Sequence, residues 1–167
     1  MKSGFRIEAL ASSHDRAGFS CGVEPLDRYL KTQASQDVRR RVSNCFVAVP
    51  EGAAAIAGFY TLAAASIPVL DLPEEQTRRL PRYPVLPAAL IGRLAVDEGF
   101  RGKQLGAALL FDALLRALRA DPAVLTVIVD AKDAKAKAFY QHHGFQPFRD
   151  LPSRLFLPVD TAAKLLR

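Results

Sequence analysis

The sequence predicts an α/β fold with parallel strand pairing near its middle. Three observations carry this. The second half of the chain reads strand, glycine loop, helix, strand, helix, strand. Two of its strand-length segments, "AALIGRLAV" (88–96) and "AVLTVIVD" (123–130), are almost wholly apolar, as buried strands are. The chain has 167 residues, enough for one compact domain with a sizeable core, so 1–167 is read as a single domain.

Taken in order, "FRIEAL" (5–10) alternates like a short strand. "EPLDRYLKTQASQDVRRR" (24–41) reads as one helix, with Leu26, Tyr29 and Leu30 on one face and Pro25 in the first turn. "NCFVAV" (44–49) is a strand, and "EG" (51–52) is turn chemistry. "AIAGFYTLAAASI" (55–67) is a second, long strand. Residues 68–87 hold Pro68, Pro73, Pro81, Pro84 and Pro87, which leaves room only for a short helix at 74–80. After the strand at 88–96, Leu110, Leu114, Ala117 and Leu118 recur at helical spacing and predict a helix over 105–120. "DAKAKAFYQHHG" (133–144) is a helix between an Asp133 N-cap and a Gly144 C-cap. "FQPF" and "RLFLPV" are two closing strands, and a short helix follows.

Composition narrows the function classes. Half the residues are apolar and 24% are charged, as in an ordinary globular protein. No apolar run is long enough to span a bilayer, and "MKSGFRIEAL" has no secretory core, so the expected place is the cytoplasm, with no membrane partner. Cys21 and Cys45 show no metal spacing and read as free thiols in a reducing compartment. His14 is isolated, and His142 with His143 reads as helix surface, so no metal is expected. The formal net charge of +6 favours an anionic partner. Its distribution says more: Arg39–Arg41, Arg78 and Arg79 with Arg82, Arg101 with Lys103, and Lys132, Lys135 and Lys137 form clusters. A solvated charge run is the other reading of Arg39, Arg40 and Arg41.

The stretch "RGKQLGAALL" (101–110) places glycines and cations at the mouth of a helix. Backbone N–H groups converge there and the helix dipole adds partial positive charge, which suits a pyrophosphate. Gly102 and Gly106 allow close approach, and Arg101 and Lys103 add full charges. The motif lacks the ending of a nucleotide P-loop and the third glycine of a dinucleotide fingerprint. A tight turn that only packs helix on sheet also fits these residues. Tyr140, beside Phe139, fits either a core aromatic or a proton donor. Arg93 interrupts a buried strand, which requires that it face a site or a carboxylate.

Read together, "IGRLAVDEGFRGKQLGAALL" (91–110) and "DAKDAKAKAFYQHHGF" (130–145) resemble the GNAT superfamily of acetyl-coenzyme-A-dependent N-acetyltransferases. The resemblance implies a central mixed, mostly antiparallel twisted sheet with a parallel central pair and helices on both faces. It implies that backbone amides of Gly102, Lys103, Gln104, Leu105 and Gly106, with Arg101, grip the pyrophosphate of acetyl-CoA. It further implies that Leu94, Ala95 and Val96 hold the pantetheine arm like an added strand, with Asp133 also on the cofactor side, and that Tyr140 protonates the leaving sulfur. Gln104 stands where the family usually has a middle glycine, and its N–H serves provided its φ is negative.

Many relatives keep a glutamate base before the loop, but "PAALIGRLAV" (87–96) has no carboxylate, and Asp97 and Glu98 lie beyond it. A lysine amine, with a pKa near ~10.4, would need a base, whereas an α-amine near ~8 is already partly neutral. The absence therefore favours an α-amine. "FSCGVEPLDRYLKTQASQD" (19–37), "GFYTLAAASIP" (58–68), "PRYPVLPAALIGRLAVD" (81–97) and "VDAKD" (129–133) are similar to the GNAT toxins of bacterial toxin–antitoxin modules. That resemblance implies acetylation of the α-amine of aminoacyl-tRNA and a block on translation. It also implies a small ribbon-helix-helix antitoxin that binds operator DNA, and a homodimer. Arg93 would then point to the acceptor end of tRNA, and Arg39, Arg40 and Arg41 would hold phosphates. Two other readings stand beside it: a GNAT enzyme acting on protein N-termini or small amines, and a non-catalytic acyl-CoA- or partner-binding domain.

Overall fold

In the computed structural model of the chain, residues 4–167 are described, so the first three residues of the N-terminal stretch lie outside the account that follows. Seven strands, β1 (Phe5–Ala9), β2 (Asn44–Pro50), β3 (Gly58–Pro68), β4 (Val85–Val96), β5 (Thr126–Asp130), β6 (Gln146–Pro147) and β7 (Arg154–Pro158), form one mixed sheet in the order β1-β2-β3-β4-β5-β7-β6. Pairing is antiparallel between β1 and β2, β2 and β3, β5 and β7, and β6 and β7, and parallel between β4 and β5. The expected parallel pair is therefore present, formed by the two apolar segments that predicted it. The chain divides into two compact units, one running up to Ala63 and adding Gly92–Ala113, the other made of Ala64–Ile91 and Leu114–Arg167.

The first unit begins with β1 (Phe5–Ala9), α1 (Glu24–Thr32), α2 (Ala34–Arg39) and β2 (Asn44–Pro50). The single helix expected over 24–41 is two helices. The break falls at Gln33, whose φ of −119° departs from helical values. Just before it, the Thr32 hydroxyl donates back to the Arg28 carbonyl at 2.7 Å, a local bond that competes with the helical ladder. Strand β3 (Gly58–Pro68) starts three residues later than expected because residues 54–56 are already occupied. Asp15 donates its N–H to Ala54 and accepts from Ile56, forming a bridge that precedes the strand. Phe19, Tyr29, Leu30, Val47, Val49 and Phe59 form this unit's core. The two cysteines are buried thiols not joined in a disulfide, and burial pushes the Cys45 thiol up to about 12.

The 12-residue β4 (Val85–Val96) reaches further upstream than the proline count suggested. Its ladder with β5 (Thr126–Asp130) covers Ala88–Ile91 and ends there, and β4 continues to Val96. The last residues of β4 lead to the loop and to α4 (Leu105–Leu118), which ends two residues before the expected limit.

The second unit holds the short α3 (Glu74–Thr77), β5, α5 (Ala134–His142), β6 (Gln146–Pro147), β7 (Arg154–Pro158) and α6 (Val159–Leu165). Helix α3 is shorter than the 74–80 read from the sequence. Ile67, Leu72, Leu86, Ile128, Phe148 and Phe156 pack as its core. The N-cap of α5 is as expected, whereas the C-cap is His143 and Gly144 follows it. The Asp133 carboxylate accepts the Ala136 N–H at 2.7 Å, and Gly144 has φ +97°, where a side chain would be strained.

Candidate acetyl-transfer site

The loop between β4 and α4 is held from behind. Asp97 accepts the N–H of Gly99 at 2.8 Å with one carboxylate oxygen and that of Ser20 at 2.9 Å with the other. Arg101 donates to the Cys21 carbonyl at 2.6 Å, and its guanidinium stands 3.9 Å from Glu98. Thus Arg101, expected to face an anion, also ties the loop to the segment before α1. The two carboxylates beyond β4 are engaged in the same anchoring, Asp97 as a cap and Glu98 beside Arg101. Neither is presented as a general base.

Residues 101–104 are exposed. Gly102 has φ +79° and Gln104 φ +60°. The negative φ required of Gln104 by the sequence reading is therefore not adopted. The residue keeps the left-handed turn that a glycine would make there, at a backbone cost of roughly 1–2 kcal/mol. Leu105, next in the chain, is buried and starts the helix, while Gly106 lies in its first turn. Among the described residues, none accepts a hydrogen bond from the N–H groups of Gly102, Lys103, Gln104, Leu105 or Gly106. A β-carbon placed on Gly102 would meet nothing within 4 Å. Five unpaired donors at the head of a 14-residue helix, with Lys103 exposed beside them, fit a pyrophosphate. Leu94, Ala95 and Val96 lie past the end of the β4–β5 ladder, so their backbone groups fit the role of a strand edge.

Tyr140 sits in the last turn of α5 and is 8% exposed. Phe139 and Phe145 meet its ring edge-on at 5.2 and 5.5 Å. Burial raises its phenol to about 12, so the hydroxyl holds its proton at neutral pH. Among the described residues, none hydrogen-bonds that hydroxyl. His143, the C-cap, is held below its ordinary value by burial and then by His142. Among the described residues, no group of three His, Cys, Asp or Glu could hold a metal ion, and no helix is long and apolar enough to cross a membrane.

On the opposite side of the chemistry question stand the arginines. Arg93 does not reach its solution through a carboxylate alone. Its guanidinium lies 3.6 Å over the centroid of the Tyr29 ring, a cation–π contact. The Tyr29 hydroxyl donates to Asp37 at 2.8 Å, and the Gln33 amide donates to the same carboxylate at 3.0 Å. Those two bonds, then the charges of Arg93 and Arg40, hold the Asp37 carboxyl below its usual range. Burial, then the bond to Asp37, drives the Tyr29 phenol up. Sequence reading assigned Tyr29 to the core and gave Asp37 no role. The available signal was the spacing of Tyr29, Gln33 and Asp37, four residues apart on one helical face. Arg39, Arg40 and Arg41 are exposed at the end of α2, and Arg41 has φ +59°. Arg39 lines a cleft of about 230 Å³ with Ser12, Arg16 and Ser35.

A strand that outlasts its parallel neighbour, an N–H-rich loop and a helix head define an acyl-CoA-dependent transferase, and the chain belongs to the GNAT acetyltransferase family. A family model described as an acetyltransferase (GNAT) domain matches residues 41–147. Within the family the chain is similar to proteins named as toxins. It is 33% identical over 162 residues to a probable toxin TacT of Sinorhizobium fredii (strain NBRC 101917 / NGR234), covering 92% of this chain and 90% of that one. It is 35% identical over 159 residues to a tRNA-acetylating toxin of Mycobacterium tuberculosis (strain ATCC 25618 / H37Rv), covering 94% and 93%. Among solved structures it matches AtaT complexed with acetyl-methionyl-tRNAfMet at TM-score 0.90 and 26% identity, over 98% and 99% of the two chains. AtaTR bound with AcCoA matches at TM-score 0.85 and 26% identity, over 98% and 99%. The KacTA–DNA complex matches at TM-score 0.81 and 26% identity, over 96% and 97%.

Proposed function

We propose that the protein is a toxin that transfers acetyl from acetyl-CoA to the α-amino group of aminoacyl-tRNA and so blocks translation. The observation that carries this is the loop: unpaired amides at 102–106, behind a strand end with no base. In this reading those amides and Lys103 hold the pyrophosphate, and Arg101 keeps the loop in place. The backbone of Leu94, Ala95 and Val96 holds the pantetheine arm, and Asp133 joins the cofactor side from the head of α5. Acetyl-CoA supplies the thioester when bound. The amine nitrogen forms the new bond to the acetyl carbon as the carbon–sulfur bond breaks.

Tyr140 donates its proton to the departing sulfur. A phenol near 12 is a weak acid toward a free thiolate of about 8.5. In a dry site, however, the same desolvation raises the thiol, which brings the two closer. With Asp97 and Glu98 tied into the loop, the reaction suits an amine that sheds its own proton near neutrality. Arg93, steadied on Tyr29, meets the acceptor end, and Arg39, Arg40 and Arg41 meet phosphates. The relatives' names and the tRNA and AcCoA complexes support this substrate and this cosubstrate, and the DNA complex supports a partner that brings such a toxin to DNA. In this reading that partner is a small ribbon-helix-helix antitoxin. Such a toxin acts in the cytoplasm.

The test is to incubate the protein with acetyl-CoA and a charged tRNA pool and to analyse the aminoacyl groups by mass spectrometry. N-acetylated aminoacyl-tRNA should appear together with free CoA thiol. Acetylation of peptide N-termini or free amines alone would sink the tRNA reading. Replacing Arg39, Arg40 and Arg41 by alanine should weaken charged-tRNA binding similarly across tRNA species. The slope of log affinity against log salt should become shallower by roughly 2–3. Acetyl-CoA affinity should not move.

A further inference from the structure

The second unit contains a cleft of different chemistry. Its volume is about 240 Å³. The apolar walls are Leu72, Leu80, Leu125, Phe156 and Pro158, from the β3–β4 connection, the residue before β5, and β7. Four polar residues complete it: Gln76, Thr126, Asp160 and Thr161. Thr126 is 1% exposed, and its hydroxyl has no hydrogen-bond partner among the described residues. Buried hydroxyls are almost always paired. Its cross-strand neighbour on the same face of the sheet is Pro158, whose ring carries no polar group to pair with it. At the rim, Asp160 and Thr161 are exposed in the first turn of α6. Asp160 is the one charged residue of the lining, in a chain whose net charge is +6.

We infer that this cleft binds a small primary amine with an apolar body and a hydroxyl at its far end. Size, charge and polarity each select for it. An apolar cavity of about 150 Å³ holds benzene, so this cleft scales to a ligand of about ten non-hydrogen atoms. A rim carboxylate with no cation in the lining favours an ammonium and disfavours phosphates and carboxylates. That chemistry is opposite to the loop at 101–106, so acetyl-CoA and nucleic acid do not compete for it. The buried Thr126 hydroxyl can accept or donate one hydrogen bond to a group delivered past the leucines and Phe156. The ammonium sits at Asp160, within reach of the Gln76 amide oxygen and the Thr161 hydroxyl, and the ligand's hydroxyl reaches Thr126.

The experiment uses the full chain without acetyl-CoA, so that no amine is consumed. Tyramine, phenethylamine and 4-hydroxyphenylacetate are titrated by calorimetry and by amide chemical shifts. Tyramine should bind saturably, phenethylamine roughly 3–10-fold more weakly, and 4-hydroxyphenylacetate weaker than both. Thr126→Val, which keeps the shape and the strand, should remove tyramine's advantage over phenethylamine. Asp160→Asn, at an exposed position, should remove the advantage of the amines over the acetate. The inference is overturned if no probe saturates by about 10 mM, the result for a cleft filled only by water. It is equally overturned if both variants leave the order of the three probes unchanged, which would place the amine elsewhere, as in an acetyl-acceptor pocket.

Discussion

Residues 101–104 are all exposed, and two of them, Gly102 and Gln104, hold a left-handed backbone. Tyr140, by contrast, is buried in a regular helix between two phenylalanine rings. In the loop, the proposed recognition rests on main-chain N–H groups, and the Arg101 side chain anchors the turn. In α5, the proposed chemistry rests on one hydroxyl, and the rest of the helix fixes its place and its dryness. The difference teaches where each region is vulnerable. A loop that works through its backbone tolerates a change of side chain but not a filled space. A helix that works through one atom tolerates nearly everything except the loss of that atom.

The largest effect should come from Tyr140→Phe. It deletes only the hydroxyl, whose hydrogen-bonding capacity no described residue uses. Turnover should fall by roughly 10²–10⁴ while acetyl-CoA affinity and thermal stability stay near wild type. The pH profile sharpens the point. Because burial raises the phenol to about 12, the wild-type acid keeps its proton throughout the ordinary alkaline range. Turnover should therefore rise as the substrate amine deprotonates near ~8 and show no fall before about pH 10. The residual activity of Tyr140→Phe should keep that rising limb. An alkaline fall near pH 9 in the wild type alone would contradict the assignment.

Next is Gly106→Asp. An aspartate in the first turn of a helix is favourable to the helix itself, so circular dichroism and melting should be unchanged or slightly improved. The added carboxylate stands at the helix head, where an anion is to bind, so acetyl-CoA affinity should drop by about tenfold or more in calorimetry. Undiminished affinity would move the pyrophosphate away from this loop.

The smallest effect is expected from Gln104→Gly. It relieves a left-handed non-glycine residue but adds chain freedom to the unfolded state. The net should be a gain of about 0.5–1 kcal/mol in chemical denaturation, with acetyl-CoA affinity within about twofold because the N–H is retained. A loss of stability would show that the Gln104 side chain itself holds the loop.

Several site features were legible because they depend on local chemistry. A run of small and cationic residues ahead of a leucine pattern marks an N–H-rich helix head whatever surrounds it. Asp133 caps the head of α5 and Gly144 takes the left-handed position just past its C-cap, His143, because helix ends are decided within a few residues. The conformation of Gln104 was not legible, since nothing in a glutamine announces a positive φ. The contact of Arg93 was half legible: a charge on a buried strand had to find a partner, but Tyr29 belongs to a helix remote in sequence. The role of Asp97 as an anchor rather than a base depends on Ser20, far upstream.

Element order, the apolar pair that became the parallel ladder, and the identity of the loop residues were determined by the sequence itself, through periodicity, capping and the special properties of glycine and proline. The break of the first helix at Gln33 and the late start of β3 were decided by the tertiary structure. So were the stacking of Arg93 on Tyr29 and the unpaired state of the Thr126 hydroxyl. The physical reason is the same in each case. Local pattern fixes what a segment can form, but which polar groups are already spoken for is settled only when distant segments meet, as Asp15 takes residues 54–56 and as Pro158, facing Thr126, brings no polar side chain to its hydroxyl.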